Sequence, residues 1–278
     1  LSAAKKYGGI YVPANQAVIH QYAREAMAKC GGMILGSDSH TRYGSLGCMG
    51  VGEGGGELVK QLLKNTWDIN APEVVLVWLE GEPRKGIGPH DVALSLVKAT
   101  FDSGFVKNKV LEFAGPGVKH LPIDFRNGID IMTTETTCLS SIWITDEEVR
   151  HHYELHARPE DYRELRPGKV AYYDAMIRVD LSEQESMIAL PFHPSNAYTI
   201  HELQANPEEI LRKVEEDAKK RFGDKVDVHL TDKVRDGKVY ADQGIIAGCS
   251  GGTYDNLSAA AAILKGQSVG NDYFTISI

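Results

Sequence analysis

The sequence contains little cysteine. Its 278 residues include only four cysteines, at positions 30, 48, 138 and 249, and this is far too few for the disulfide framework of a small secreted domain. No two of them have the CxxC spacing of a zinc ribbon or a thioredoxin-type motif. We therefore expect free thiols in a reducing compartment and a cytoplasmic location.

An excess of positive charge is also missing. Lysine and arginine number 30 against 38 aspartate and glutamate residues, so the formal net charge is -8. Nucleic acids and anionic membranes bind cationic surfaces, and we expect neither as a partner. No apolar run approaches the ~20 residues that cross a bilayer as a helix. The chain begins at Leu1 without a signal peptide, and we expect it to be a piece of a longer protein.

Glycine, in contrast, is abundant and clustered. Seven of the thirteen residues in 44–56 are glycine, and a second cluster spans Gly248-Cys249-Ser250-Gly251-Gly252. Both clusters follow strand-like segments and precede helix-like ones, which is where α/β proteins place binding loops. The first cluster lacks the GxGxxG spacing of a dinucleotide-binding loop and the GK[ST] ending of a P-loop. We expect its glycines to allow a helix or loop backbone to approach a cofactor or a neighbouring helix closely.

Hydrophobic patterning predicts strands alternating with helices. The predicted helices are 15–29, the segment after the first glycine cluster, 90–101, 207–222 and 254–265. The predicted strands are 33–35, 73–80, 110–113 and 244–247, with the first and the last of them buried. Alanine dominates the helix at 254–265, which predicts that it packs closely on a neighbour. The polar segment 151–169 contains several histidines, for which a solvated face is a better interpretation than a metal site.

An acid, a hydroxyl and an imidazole stand side by side in Asp38-Ser39-His40, directly after a predicted strand. Carboxylate and imidazole together can orient a water or move a proton near neutral pH. His20 lies on the preceding predicted helix, and the return of the chain would bring it towards Asp38, which would then hold its imidazole protonated. The alternative is that Asp38 caps a turn and His20 is a core histidine. The residues alone leave both open.

Two further residues have a suggestive setting. Glu135 lies among four threonines, for which a β-strand is the simpler interpretation. Cys249 lies in the second glycine cluster, where backbone N–H groups of the turn would lower the pKa of its thiol. A packed thiol is nevertheless the commoner role of such a cysteine, and core packing is the interpretation for the other three.

Several of these segments occur together in one known family. Val18-Ile19-His20-Gln21, the loop 36–41 (GSDSHT) and the first glycine cluster resemble the N-terminal part of the aconitase and isopropylmalate isomerase family. The similarity continues in the same order through Phe113-Ala114-Gly115, Asp180-Leu181-Ser182-Glu183, Ala189-Leu190-Pro191 and Ile246-Ala247-Gly248-Cys249-Ser250. Each match is short, but their common order covers nearly the whole chain and is therefore specific.

The resemblance implies an α/β fold of three-layer α/β/α domains around a cleft, with units at 1–72, 73–190 and 191–278. It also implies a hydro-lyase that dehydrates and rehydrates a hydroxy di- or tricarboxylic acid with a [4Fe–4S] cluster as Lewis acid. The expected partners are this small-molecule substrate and the remaining C-terminal domains of the same protein.

The resemblance assigns a role to each candidate residue. His20, Asp38, His40 and Glu135 would be catalytic, Gln21 and Ser39 would bind substrate, and Cys249 would be the first of three cluster cysteines. The other two would lie beyond Ile278. We therefore expect the cluster in the full-length protein and not in this piece.

The sequence also departs from the family. Ser250-Gly251-Gly252 follows the cysteine where the family has threonine and asparagine, and Tyr43 and Ile131 occupy positions that are often asparagine. These lost polar contacts indicate a substrate unlike citrate or isopropylmalate, or a divergent subfamily of unknown reaction. The alternative function is a non-catalytic or RNA-binding regulatory relative, against which the charge of -8 argues.

Overall fold

Helices and strands alternate along the chain. The structure, a computed structural model, describes residues 1–64, 66–268 and 275–277. Its α-helices are Ser2–Tyr7 (α1), Ile19–Ala26 (α2), Gly54–Lys64 (α3), Pro89–Thr100 (α4), Ile123–Met132 (α5), Glu147–Leu155 (α6), Ile200–Ala205 (α7), Pro207–Phe222 (α8), Gly248–Gly251 (α9) and Tyr254–Leu264 (α10). Its strands are Met33–Gly36 (β1), Met49–Gly52 (β2), Val74–Glu80 (β3), Val110–Ala114 (β4), Ser140–Trp143 (β5), Ala175–Asp180 (β6), Met187–Ala189 (β7), Ala197–Thr199 (β8), Val234–Arg235 (β9), Lys238–Val239 (β10), Gln243–Ile245 (β11) and Thr275–Ser277 (β12). The α/β class is confirmed.

The central sheet is parallel throughout and has the strand order β5-β4-β3-β6. Strand β3 alternates between buried and more exposed positions, and Val75, Val77 and Leu79 are fully buried. They join a hydrophobic cluster with side chains of α4 and α5. Burial of an aliphatic side chain of this kind stabilises the folded state by about 1.5–3 kcal/mol. The cluster therefore stabilises the sheet, which positions the loops at its ends.

The start of α4 is tied to the hairpin of β7 and β8. Pro89 occupies its first turn, and the backbone N–H of Gly88 donates to Oδ2 of Asp91 at 2.7 Å. The second carboxylate oxygen of Asp91 accepts the N–H of Met187 at 2.7 Å. One side chain therefore caps the helix and holds the antiparallel hairpin beside it.

The first glycine cluster allows backbone segments to touch. A Cβ on Gly52 would overlap the carbonyl oxygen of Asp38, and one on Gly44 would overlap the carbonyl oxygen of Ser141. Strand β2, which ends at Gly52, runs parallel to β1, and β1 leads directly into the Asp38 loop. A close approach is therefore present as predicted, but the nearest backbone neighbours of Gly52 and Gly44 are a loop and strand β5, and the prediction of a helix or cofactor as the neighbour is wrong at these two positions.

Several sequence predictions fail on burial. Strands β1 and β11 contain no buried residue, with Met33 54% and Ile245 67% exposed, although buried strands are predicted at both places. In the described part of the chain no residue of α10 is buried, contrary to the close packing predicted for it. His151 is exposed as predicted, whereas Nε2 of its neighbour His152 is buried and has no hydrogen-bond partner. Burial depends on the partners that the tertiary fold supplies, which local patterning does not contain.

Glu135 lies in a 3₁₀ turn, Thr133–Thr136, and the prediction of a strand is wrong. The hydroxyl of Thr133 donates to the carbonyl of Asp130 at 2.6 Å, and that of Thr136 donates to the carbonyl of Thr133 at 2.7 Å. Threonine hydroxyls that bond back to the backbone stabilise turns at the expense of strands.

Among the residues described, none of the helices combines the length and apolar character needed to span a bilayer. The division into units at 1–72, 73–190 and 191–278 stays a prediction.

Candidate active site

His20 lies in the first turn of α2 and is buried between a carboxylate and a phenol. Its Nε2 lies 2.9 Å from Oδ1 of Asp38, and its Nδ1 lies 3.1 Å from the hydroxyl of Tyr43. A carboxylate only accepts hydrogen bonds, so Nε2 carries the proton and the Tyr43 O–H donates to Nδ1. The predicted pairing of His20 with Asp38 is confirmed.

The charge of His20 differs from the prediction. Burial lowers the pKa of His20 and outweighs the opposing effect of Asp38. The side chain is 5% exposed, and a poorly solvated imidazolium is costly. The expectation that Asp38 holds this imidazole protonated is therefore wrong, and His20 is a neutral donor to Asp38.

His40 is the protonated imidazole of the site. Its backbone N–H donates to Oδ1 of Asp38 at 2.8 Å, the oxygen that also accepts from His20. Its Nδ1 lies 3.3 Å from the sulfur of Cys249, and its Nε2 lies 3.6 Å from Oε1 of Glu135. The hydrogen bond with Cys249, followed by the interaction with Glu135, raises the pKa of His40 to about 10. The two ring nitrogens of His40 therefore face the carboxylate of Glu135 and the thiol of Cys249.

Cys249 is a half-buried thiol in the short helix α9. Burial works to raise the pKa of its thiol, but the hydrogen bond and charge of His40 and the charge of Arg24 outweigh it, and the pKa is lowered. Arg24 is fully buried, and its Nη1 lies 3.4 Å from the carbonyl oxygen of Cys249, to which it donates. This setting favours the thiolate, which is the form that binds metals.

The other three cysteines are less suited to bind a metal. All three are buried, and burial raises the pKa of the thiols of Cys30 and Cys48. The thiol of Cys138 donates to the carbonyl of Thr133 at 3.3 Å. Within the described ranges no group of three or more histidine, cysteine and acidic side chains is arranged to hold a metal ion. Among the four cysteines, Cys249 has the setting that suits a metal-binding thiolate.

Glu135 faces a second imidazole. Its Oε2 lies 3.7 Å from Nε2 of His193, which belongs to the loop between β7 and β8. The hydroxyl of its neighbour Thr134 donates to the backbone carbonyl of Ser39 at 2.5 Å and joins this turn to the Asp38 loop. The interaction with His40 lowers the pKa of Glu135 more than burial raises it.

The two predicted substrate-binding residues differ in their placement. Ser39 is exposed beside Asp38 and His40. The amide of Gln21 is engaged within α2, where it donates to Glu25 at 2.6 Å and accepts from Arg24 at 3.4 Å. The roles of both residues in substrate binding stay predictions.

Sequence reasoning missed three residues of this site. Arg24 follows His20 by four residues and therefore shares its helix face, which is a signal that was present in the sequence. Tyr43 stood out only as a departure from the family pattern. His193 gave no periodic or motif signal, because a loop places it beside Glu135.

The fold and the site define an α/β chain in which paired histidines and carboxylates face a reactive thiol. The family model of the aconitase family (aconitate hydratase) matches residues 1–277. Aconitase htyD of Aspergillus rugulosus is 33% identical over 194 residues, which are 68% of this chain and 22% of that protein. The mitochondrial aconitate hydratase of Aspergillus fumigatus is 30% identical over 95% of this chain and 31% of its own length.

A third relative is the 3-isopropylmalate dehydratase large subunit of Elusimicrobium minutum, which is 27% identical over 96% of this chain and 56% of that protein. The chain therefore spans about half or less of the length of these curated relatives. It belongs to the aconitase family, and the resemblance seen in its sequence is confirmed.

Proposed function

We propose that the full-length protein is a hydro-lyase that dehydrates and rehydrates a hydroxy di- or tricarboxylic acid. The observation that carries this proposal is the position of His40, whose imidazole lies 3.6 Å from the carboxylate of Glu135 and 3.3 Å from the thiol of Cys249. The imidazole of His40, which can carry a proton, therefore lies in contact with the Cys249 thiol, which can bind a metal. Relatives named aconitate hydratase and 3-isopropylmalate dehydratase support the same class of reaction.

We assign Cys249 as one ligand of a [4Fe–4S] cluster, with the other two cysteines in the part of the protein beyond Ile278. When bound, the cluster would supply a Lewis acid for the hydroxyl and carboxylate of the substrate. The support from this chain is the chemistry of the donor: Cys249 is a half-buried thiol of lowered pKa beside the histidine–carboxylate pairs.

His40, Asp38 and His20 have different roles in the proposed proton transfer. His40 holds a proton at Nε2 beside Glu135 and donates it to the departing hydroxyl. Asp38 fixes the backbone of His40 and the ring of His20 through one oxygen. Neutral His20 keeps that oxygen in place, and exposed Ser39 contacts a substrate carboxylate. We also propose that the full-length protein is located in the cytoplasm.

Reconstitution of the full-length protein with iron and sulfide under anaerobic conditions tests the ligand assignment. We expect visible absorption of a cluster in the wild type and in Cys138→Ser, and its loss in Cys249→Ser. An intact cluster in Cys249→Ser would show that this thiol is not a ligand.

A panel of hydroxy di- and tricarboxylic acids tests the reaction itself. The formation of an unsaturated acid is followed by its ultraviolet absorbance. Turnover of at least one acid by the cluster-loaded protein is the expected result. If none is turned over and the protein binds RNA in a salt-sensitive manner, the regulatory alternative replaces the hydro-lyase.

A further inference from the structure

The loop between β7 and β8, residues 190–196, holds His193 in a fixed orientation. The backbone N–H of Asn196 donates to the carbonyl of His193 at 2.9 Å, and its side-chain amide donates to the carbonyl of Pro191 at 2.6 Å. The ring of His193 stacks on Phe101 with the centroids 3.7 Å apart and the planes at 24°. The imidazole is therefore held by its backbone on one side and by an aromatic face on the other.

The hydrogen bonds of this loop also fix the tautomer. The backbone N–H of Ser195 donates to Nδ1 of His193 at 3.1 Å. A nitrogen that accepts a hydrogen bond carries no proton, so the proton of this imidazole is on Nε2. Nε2 is the atom that faces Oε2 of Glu135 at 3.7 Å. The loop thus presents an N–H donor towards the carboxylate.

Glu135 lies between two imidazoles. Its Oε1 faces the imidazole of His40 at 3.6 Å and its Oε2 faces the N–H of His193 at 3.7 Å. The carboxyl side chain is 24% exposed, and a glutamate has several rotatable bonds. A single partially exposed ion pair orients such a side chain only weakly. The N–H dipole of His193 is directed at the other oxygen from 3.7 Å, and this electrostatic attraction opposes rotation of the carboxylate away from His40.

We propose that His193 is a positioning residue of the active site, which holds Glu135 in the orientation that pairs with His40. The arrangement itself depends only on the loop and the turn. The effect of His193 on turnover rests on the hydro-lyase activity proposed above.

Two substitutions in the full-length protein separate the contact with Glu135 from the fold of the loop. His193→Asn keeps an acceptor near Nδ1 for the N–H of Ser195 but does not reach Glu135. His193→Gln places an amide N–H near the position of Nε2 and keeps the donor to Glu135. The two variants share the loss of the ring and differ in the contact that the proposal concerns.

Steady-state kinetics of the cluster-loaded protein form the first measurement. We expect His193→Asn to lower kcat about tenfold to a hundredfold, with KM changed little, as for other residues that orient a reacting group. His193→Gln should stay within about threefold of the wild-type kcat, which would be rescue by a shared donor. Equal losses in the two variants would overturn the proposal.

Crystal structures of the same full-length variants provide a measurement that needs no turnover. In His193→Asn the Glu135 carboxylate should turn away from Nε2 of His40, and in His193→Gln it should stay. An unchanged Glu135 in His193→Asn overturns the positioning role. If the wild type turns over no acid of the panel, the proposed function fails, and these structures still decide the role of His193.

Discussion

Tyr43 donates its phenolic O–H to Nδ1 of His20 across 3.1 Å, and both residues are buried. The tyrosine occupies a position that is often asparagine in the family, and burial raises its pKa to about 12. It therefore stays a neutral donor at physiological pH. Together with Asp38 it determines which nitrogen of His20 carries the proton.

Tyr43→Phe removes this donor and leaves Nδ1 of His20 without a partner. We expect the free energy of unfolding to fall by about 1–3 kcal/mol and the kcat of the cluster-loaded full-length protein to fall about tenfold. Urea unfolding and steady-state kinetics measure the two effects.

Tyr153→Phe is the matched control for this substitution, because Tyr153 is also buried and donates to the carbonyl of Leu46 at 2.8 Å. It should lose comparable stability while kcat is retained. An equal decrease of kcat in both variants would contradict the specific role of Tyr43.

Among the four cysteines of this chain, Cys249 should be the most reactive when no cluster is bound. It is partly exposed and its pKa is lowered, whereas the other three cysteines are buried. Iodoacetamide at neutral pH should label Cys249 first, and His40→Asn should slow that labelling because the thiolate loses its imidazolium partner. Mass spectrometry of the peptides identifies the modified site. Faster labelling of Cys30 or Cys48 would contradict the assignment.

His152 should make the protein less stable in acid. Burial, with a further contribution from the charge of His156, lowers the pKa of His152 from 6.5 to about 4. Between pH 6.5 and about 4 the unfolded chain therefore binds a proton here that the folded chain does not. The free energy of unfolding falls as the pH decreases through this range, by at most about 3 kcal/mol.

Urea unfolding as a function of pH measures this contribution. His152→Gln should have a shallower decrease than the wild type, whereas His151→Gln, at an exposed position, should follow the wild type. Parallel curves for the wild type and His152→Gln would show that His152 does not titrate in this way.

Gly52 and Gly55 provide a matched pair of glycine substitutions. Gly52→Ala should destabilise the chain by about 1–3 kcal/mol, because the new Cβ would overlap the carbonyl oxygen of Asp38. Gly55→Ala should stabilise it by about 0.4–1 kcal/mol, because Gly55 lies in α3 with no atom within 4 Å of the added Cβ. Thermal or urea unfolding compares them. We expect the free energy of unfolding to fall in Gly52→Ala and to rise in Gly55→Ala. A decrease in both variants would contradict the explanation that overlap with the Asp38 carbonyl oxygen causes the effect at Gly52.

The sequence predicts the parts of the site that lie in short motifs. His20 pairs with Asp38 as expected, because the helix and the strand between them are short and the chain must return. Glu135, which the family resemblance marks as catalytic together with His40, lies 3.6 Å from it, although Glu135 is in a turn and not in a strand.

Charge states and distant neighbours could not be predicted in the same way. His20 is neutral because of its burial, and that burial is produced by residues from several elements. His193 reaches Glu135 through a loop that follows the central sheet. Both depend on tertiary packing, which periodicity and motif spacing do not describe.

The contact between His40 and Cys249 joins residues separated by 209 positions. A growing polypeptide therefore presents His40 long before its thiol partner has been made, and closing so long a loop is opposed by chain entropy until the sheet between them has folded. Formation of this contact consequently follows the folding of the central sheet. A chain that ends before residue 249 would contain His20, His40 and His193 but would lack the Cys249 thiol that His40 contacts.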